Sequence, residues 1–403
     1  MFKPTKRLSD GEFVTLMATL TALLALAIDA MLPALPDIGR DLGVAELNDT
    51  QWVVSAIFIG FAIGQVFYGP ISDSMGRKNP IYIGLVIYCI GSLISIAAWN
   101  FEIMLVGRFI QGIGVAGPKI VSMALIRDQY KGRHMARIMS FIMAIFILVP
   151  AIAPAIGQGI LLFGDWRMVF ILLLGTALIS LLWFAIRQPE TLPKEKRVTF
   201  SLNHIWQAVV ETCKHRVTFG YTITIGFSFG AFIGYLNSAQ QIFQNLFNLG
   251  DKFPLYFGAL ALIIGLASIV NSKVVMRFGM RYLCWRALLA TTLISLVFLI
   301  FVHFADGKPA LQWFMLWGGL VFFAMGILFG NFNALAMEPL GHIAGVAAAV
   351  IGSISTLIAV ALGTWIGLIY NGTLYPLVGG FAFLGAISMV VMYLADKKAL
   401  KSI

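Results

Sequence analysis

A carboxylate at position 29 lies inside an apolar run, Val14 to Leu35, that is long enough to cross a bilayer. An ionised carboxylate at that depth is costly unless it is paired, hydrated or protonated, so Asp29 marks a functional site by default. Two other charges lie well inside such runs, and both are on the fourth: Arg108 and Lys119. Along a helix, Arg108, Gln111, Val115 and Lys119 follow one another at steps of three and four. Eleven residues at about 100° each bring Lys119 to within about 20° of Arg108, so the two cations share a face. That stripe cannot face lipid cheaply and must line a cavity or meet acids. At about 1.5 Å per residue, Asp29 and Arg108 lie at similar depths, about 10 and 9 Å from the outer ends of their runs.

The elements that must hold these groups are membrane spans. Of the 403 residues, 60% are hydrophobic and 11% are charged, and the mean hydropathy is +0.90. A soluble domain of this length does not show that balance. Apolar runs fall at 14–36, 52–72, 80–99, 103–126, 136–162, 167–187, 217–240, 253–272, 283–303, 310–336, 343–369 and 375–395. Each is near the ~20 residues that a helix needs to cross hydrocarbon, and none has the short alternating pattern of a barrel strand. The expected fold is an all-α membrane protein of twelve transmembrane helices.

The net charge of +10 does not call for nucleic acid. With the N-terminus in the cytoplasm, Lys and Arg crowd the segments on that side, while the opposite side keeps only Arg40, Arg167, Lys252 and Lys308. This is the positive-inside asymmetry, and it predicts that both termini are cytoplasmic. The three cysteines, Cys89, Cys213 and Cys284, indicate no disulfide framework. The first span follows Lys3, Lys6 and Arg7 but is too long for a cleavable signal, so it reads as an uncleaved anchor.

The polar stretch 188–216 divides the chain into bundles 1–187 and 217–403. It opens with Pro189-Glu190-Thr191-Leu192-Pro193 and ends in an amphipathic piece around Leu202 to Val210 that suits the membrane surface. Six spans on each side invite a search for duplication. Aligning Gly76 on Gly279 sets Lys78 on Arg281 and Asp73 on Met276, so the turn survives and the acid does not. Two pseudo-symmetric six-helix bundles around a central site is a recognised transporter plan.

Several segments carry a resemblance. Gly69-x-x-x-Asp73-x-x-Gly76-Arg77-Lys78 resembles the signature loop of the major facilitator superfamily. Arg108-x-x-Gln111-Gly112 resembles the fourth-span motif of its drug:proton antiporters, and Pro150-x-x-x-Pro154-x-x-Gly157 is similar to the fifth-span motif of its exporters. Ile28 to Pro36, Trp166-Arg167-x-x-Phe170 and Pro189 to Pro193 resemble the Bcr/CflA group of multidrug exporters. The resemblance covers nearly all of the first half and continues through Glu338 to Gly345. Lys119 departs from that group, and Gln158 stands where its pattern often has a second glycine.

The resemblance implies export, proton coupling, the major facilitator fold, and spans 1 and 4 side by side. Asp29 and Arg108 would then form a coupled pair that exchanges a proton as the cavity alternates its exposure; a fixed structural ion pair is the alternative. The loop at 69–78 would be a conformational latch for the outward-facing state, or else a satisfied cytoplasmic turn. Pro150, Pro154 and Gly157 suggest a bent helix with a small-residue seam. Seams of the same kind are expected at Gly60 and Gly64, and at Gly345, Ala349 and Gly352. Lys119, beside Pro118, is either an anion contact or a lysine paired with an acid or reaching for the cytoplasmic face. Besides Gln111 and Lys119, the candidate substrate-binding groups are Asn237, Gln241, Asn331 and Asn333, with aromatics such as Phe229, Phe232, Tyr235 and Phe329 as wall or packing. Glu338 is expected to be solvated.

The reading is a proton-coupled secondary transporter of the bacterial inner membrane, exporting small organic compounds by alternating access. The expected partners are substrate, protons and the bilayer; no cofactor or metal is expected, and the chain is expected to be a monomer. The alternative keeps the fold and exports an endogenous anionic metabolite, such as a polycarboxylate siderophore. The chain lacks a Gly-rich phosphate loop followed by Lys-Ser/Thr, so ATP hydrolysis is excluded. The five histidines fall in loops or near span ends with no metal spacing, which speaks against an intramembrane enzyme.

Overall fold

Hydrocarbon leaves backbone polar groups no outside partner, so the apolar runs close their own hydrogen bonds as helices. A computed structural model describes residues 8–397; Lys3, Lys6, Arg7, Lys398 and Lys401 of the charge count lie outside them. The helices are α1 (Asp10–Asp29), α2 (Leu35–Asp41), α3 (Trp52–Met75), α4 (Lys78–Ile96), α5 (Phe101–Gln129), α6 (Gly132–Leu161) and α7 (Arg167–Arg187). After the linker helix α8 (Leu202–Lys214) come α9 (Arg216–Gln240), α10 (Phe253–Phe278), α11 (Met280–Phe304), α12 (Leu311–Met337), α13 (Ala344–Leu368) and α14 (Tyr375–Asp396). Among the described residues, twelve segments are long and apolar enough to span a membrane, with α1 and α2 together making the first.

The first span is not the unbroken helix that its run suggests. Ser9 opens α1 by accepting a hydrogen bond from the Glu12 N–H. Pro33 has no N–H to offer the Asp29 carbonyl, and its ring would crowd that carbonyl, so α1 stops at Asp29. A short 3-10 turn, Leu32–Ala34, leads into α2. The carboxylate therefore sits at a helix end rather than mid-helix.

The chain divides into two units, residues 1–45 with 52–205 and residues 46–51 with 206–403. In the first, α1 packs on α5, α6 and α7, while α5 also takes α3 and α4, and α4 meets α7. In the second, α9 packs on α12, α13 and α14, while α12 also takes α10 and α11, and α11 meets α14. Shifting the first scheme by six spans reproduces the second, pair for pair. These are two pseudo-symmetric six-helix bundles. The turn glycines repeat as well: Gly76 has φ +92° and Gly279 has φ +78°, a backbone region that glycine enters without strain.

Close helix contacts fall where glycine removes the side chain. A Cβ on Gly60 would meet the Phe109 carbonyl at 2.0 Å, so α3 and α5 lie backbone to backbone. In the second bundle, α9 and α13 close on Gly226, Gly230 and Gly363. Gly345 has nothing within 4 Å of its place for a Cβ. The seam expected at Gly345 on the eleventh span thus lies farther along it. The expected amphipathic linker piece is α8, with Leu202 and Trp206 exposed on it.

Candidate functional site

The end of α1 leaves its last carbonyls without intrahelical donors. Arg108 fills one of these vacancies: its Nη2 donates to the Ala27 carbonyl at 2.9 Å. Its Nε donates to the Val53 carbonyl on α3 at 3.0 Å, and its Nη1 to Gln111 Oε1 at 2.6 Å. Gln111 in turn donates to Ser92 on α4 at 2.9 Å. A guanidinium at a helix C-terminus also meets the negative end of the helix dipole. Arg108 is fully buried, so these bonds are what make its burial tolerable.

This geometry corrects the expected ion pair. Arg108 makes no salt bridge to Asp29; it holds the helix turn that ends at Asp29. Among the described residues, the Asp29 side chain has no hydrogen-bond or ion-pair partner, and the residue is only 4% exposed. Sequence spacing placed the two charges at one depth but could not show that backbone carbonyls would claim the guanidinium. Gln111 belongs to the same clamp.

Lys119, lower on the same stripe, meets no acid. Its Nζ sits 3.7 Å from the centroid of the Phe146 ring on α6. Gly157 on α6 lies against the break in α1, where a Cβ would come within 1.7 Å of the Ala30 carbonyl. Helix α6 continues through Pro150 and Pro154. Tight packing is reached here through Gly157, although the second glycine of the pattern is Gln158.

At the turn after α3, Arg77 Nη1 lies 2.5 Å from Asp73 and its Nε 2.8 Å from Asp128 at the end of α5. Asp128 and Asp73 together outweigh the burial that opposes the guanidinium's charge, so its pKa is raised. Glu190 accepts the backbone N–H groups of Arg77 and Lys78 at 2.9 and 3.1 Å. Ser72 donates to the Gly69 carbonyl, and Lys78 Nζ reaches the Ala185 carbonyl at 3.4 Å. Asp128 and Glu190 were not singled out from sequence, because their partners lie 51 and 113 residues away. Asp41, which accepts from both Trp166 and Arg167, escaped notice for the same reason.

Within its spans the second unit buries amides, and its buried carboxylate, Asp396, lies at the end of α14. Asn331 and Asn271 exchange hydrogen bonds, while Asn333 is exposed and donates to the Phe329 carbonyl. Two residues apart is about 200° around a helix, so Asn331 and Asn333 cannot share a cavity face as expected. Gln241 donates to Asn48 at 3.0 Å and accepts from Gln51 at 3.2 Å. Gln51 also reaches the Gly367 carbonyl, and Asn48 the Leu368 and Tyr370 carbonyls. Asn237 is 1% exposed and lies where α9 meets Gly367 of α13. Phe229, Phe232, Tyr235 and Phe329 form one ring cluster with Phe322. Glu338 is exposed, as expected, and pairs with Arg281 at 2.8 Å.

The comparisons with known proteins agree with this architecture. An uncharacterized MFS-type transporter of Bacillus subtilis is 30% identical over 383 residues, which is 92% of each chain. The bicyclomycin resistance protein homolog of Haemophilus influenzae is 28% identical over 97% of each chain. The multidrug resistance protein D of Escherichia coli is 26% identical over 87% of each. The crystal structure of the human organic anion transporter superposes with a TM-score of 0.71 at 17% identity, covering 96% of this chain and 100% of that one. At that identity it speaks for the fold alone. The profile of the Major Facilitator Superfamily matches residues 17–364, and the chain belongs to that family of membrane transporters.

Proposed function

We propose that this chain is a multi-pass inner-membrane exporter that moves small organic drugs outward in exchange for protons. Asp29 is the group that loads and unloads the proton. The observation that carries this reading is a buried carboxylate at a helix break with no fixed counter-charge. Such a group can hold a proton in one state and a substrate or water in another, whereas a paired carboxylate is already committed. Arg108 and Gln111 act as positioning residues that fix the end of α1. Relatives named for bicyclomycin and multidrug resistance support drugs as cargo.

Within this reading both termini are cytoplasmic, the protein works as a monomer, and the turn at Gly69, Asp73, Gly76, Arg77 and Lys78 is a latch. It ties α3 to α5 and to the stretch after α7 on one face, and those bonds must be remade when the bundle tilts. The anionic-metabolite reading needs Lys119 as an anion contact, and a lysine seated on an aromatic ring gives it no support.

The test is uptake into proteoliposomes under an imposed pH gradient, with wild type beside Asp29→Asn. The panel holds a lipophilic cation, a neutral antibiotic and a citrate-type polycarboxylate. Gradient-driven movement of the cation or the neutral drug, abolished in the variant, is expected. A correctly folded Asn variant that transports at the wild-type rate removes Asp29 from the mechanism. Movement of the polycarboxylate alone overturns the drug assignment.

A further inference from the structure

We propose that Lys119 and Phe146 form a cation site in which the protonated amine stands in for a lipophilic cationic substrate. A cation then binds there only as Lys119 gives up its proton. This inference rests on the transport reading above, to which it adds a substrate class and a second proton-carrying group.

Distance and partnership carry the argument. At 3.7 Å from the ring centroid, the amine is in van der Waals contact with the face of Phe146. An aromatic face attracts cations through its quadrupole, most strongly where water is scarce. Both residues are half-buried, so the ring is sheltered yet approachable. Helix α5 packs on α1, α3, α4 and α6. Of the acids on these helices, Asp10 pairs with His134, Glu12 with Arg187, Asp73 and Asp128 with Arg77, and neither Asp29 nor Glu102 is in an ion pair. The remaining titratable groups there are Tyr68, Lys78, Tyr82, Tyr88 and Cys89, with Arg133, His134 and Arg137 on α6 and Arg108 and Arg127 on α5. Among the described residues, none of these lies within bonding reach of Nζ, so the ring is the one group that rewards the charge.

A second cation on the same ring face would meet the ammonium at close range and low dielectric, where like charges repel strongly. The conflict is relieved when Nζ passes a proton to water and keeps its electron pair as a neutral amine. The site's net charge stays at +1, since the bound cation replaces the proton. A lysine resting on a ring thus makes the proton and the substrate mutually exclusive, which is the exchange that an antiporter performs.

The experiment measures tetraphenylphosphonium binding to the purified full chain by calorimetry at pH 6.5 and 8.5. Buffers of different ionisation enthalpy count the protons released. Lys119→Arg, a permanent cation, is expected to bind about tenfold more weakly than wild type at pH 8.5. Lys119→Met is expected to bind at least as tightly as wild type at both pH values while releasing roughly one proton fewer per cation. Phe146→Leu keeps an apolar side chain without a ring face and is expected to lose about tenfold in affinity. Monodisperse elution of each variant checks the fold, and Phe146→Leu decides the matter if a lysine variant fails it. Failure of the wild type to bind the phosphonium overturns the inference, as does an unchanged proton count in Lys119→Met or wild-type affinity in Lys119→Arg. Asp29→Asn in the same assay separates the two proposals. An intact Lys119 signature in a variant that still transports protons removes Asp29 and leaves the Lys119 inference standing.

Discussion

The two bundles repeat one packing scheme and differ in what they bury. The first encloses Asp29, Arg108 and Lys119 at membrane depth. The second holds amides and a cluster of rings, with Tyr235 edge-on to Phe322 at 4.7 Å and Phe298 stacked on Trp317 at 5.6 Å. Close-contact glycines occur in both, because two backbones cannot approach otherwise. Intramembrane charges are expensive, so a duplicated fold has reason to keep them only where they are used. The first bundle thus carries the charges set within its spans, and the second carries amides and rings there.

The turns at Gly76 and Gly279 refine this contrast. Arg77, next to Gly76, meets Asp73 and Asp128; Arg281, two residues past Gly279 and aligned with Lys78, meets Glu338 and, at 3.6 Å, Asp396. Met276 stands where an acid is missing, yet Glu338 ends α12 as Asp128 ends α5. The second turn keeps its cross-helix partner and replaces the local one with a carboxylate from α14. Tyr221 on α9 also donates to Asp396, at 2.8 Å.

The largest effect is expected at the contact that holds the α1 break. Gly157→Leu forces side-chain atoms onto the Ala30 carbonyl and should cost about 3 kcal/mol or more, with loss of transport. Gly159→Ala, with open space around it, should leave thermal stability in detergent unchanged. Equal losses would mean that the break in α1 is not held by this contact. Next come the turns. Arg77→Ala strands two carboxylates beside a buried site and should cost about 2 kcal/mol, whereas Arg281, half-exposed, should cost about 1 kcal/mol or less. Thermal unfolding of the two variants side by side gives the ratio. Matching values would make the turns energetically equivalent and erase the contrast. Of the same order as Arg281 is Tyr221→Phe, which removes one hydrogen bond to Asp396 and should cost about 1 kcal/mol. A cost well above that would show that the second turn depends on α9 more than on Arg281.

Much of the fold was legible because its causes are local. Apolar runs near twenty residues long gave the spans, and Gly76 and Gly279 betrayed the duplication through a backbone conformation that few other residues adopt. The site was legible only in part. Asp29, Arg108 and Lys119 announced themselves by being charged where charge is costly. Their partners did not, since Ala27 and Val53 act through backbone carbonyls that every residue possesses, and Phe146 is one of 32 phenylalanines. Asn331 and Asn333 misled because the polar type was read without the 200° that separates them.

The sequence by itself determined twelve helices, their grouping by sixes, the charge asymmetry and the three charges set within apolar runs. Those properties follow from composition and period, and hydrocarbon enforces them on each segment separately. Only the tertiary structure decided that α1 ends at Asp29 under the hand of Arg108, that the carboxylate is left without a partner, and that Lys119 rests on a ring. Each depends on groups from different helices meeting at hydrogen-bond or ring-contact distance. No pattern within one helix encodes such a meeting.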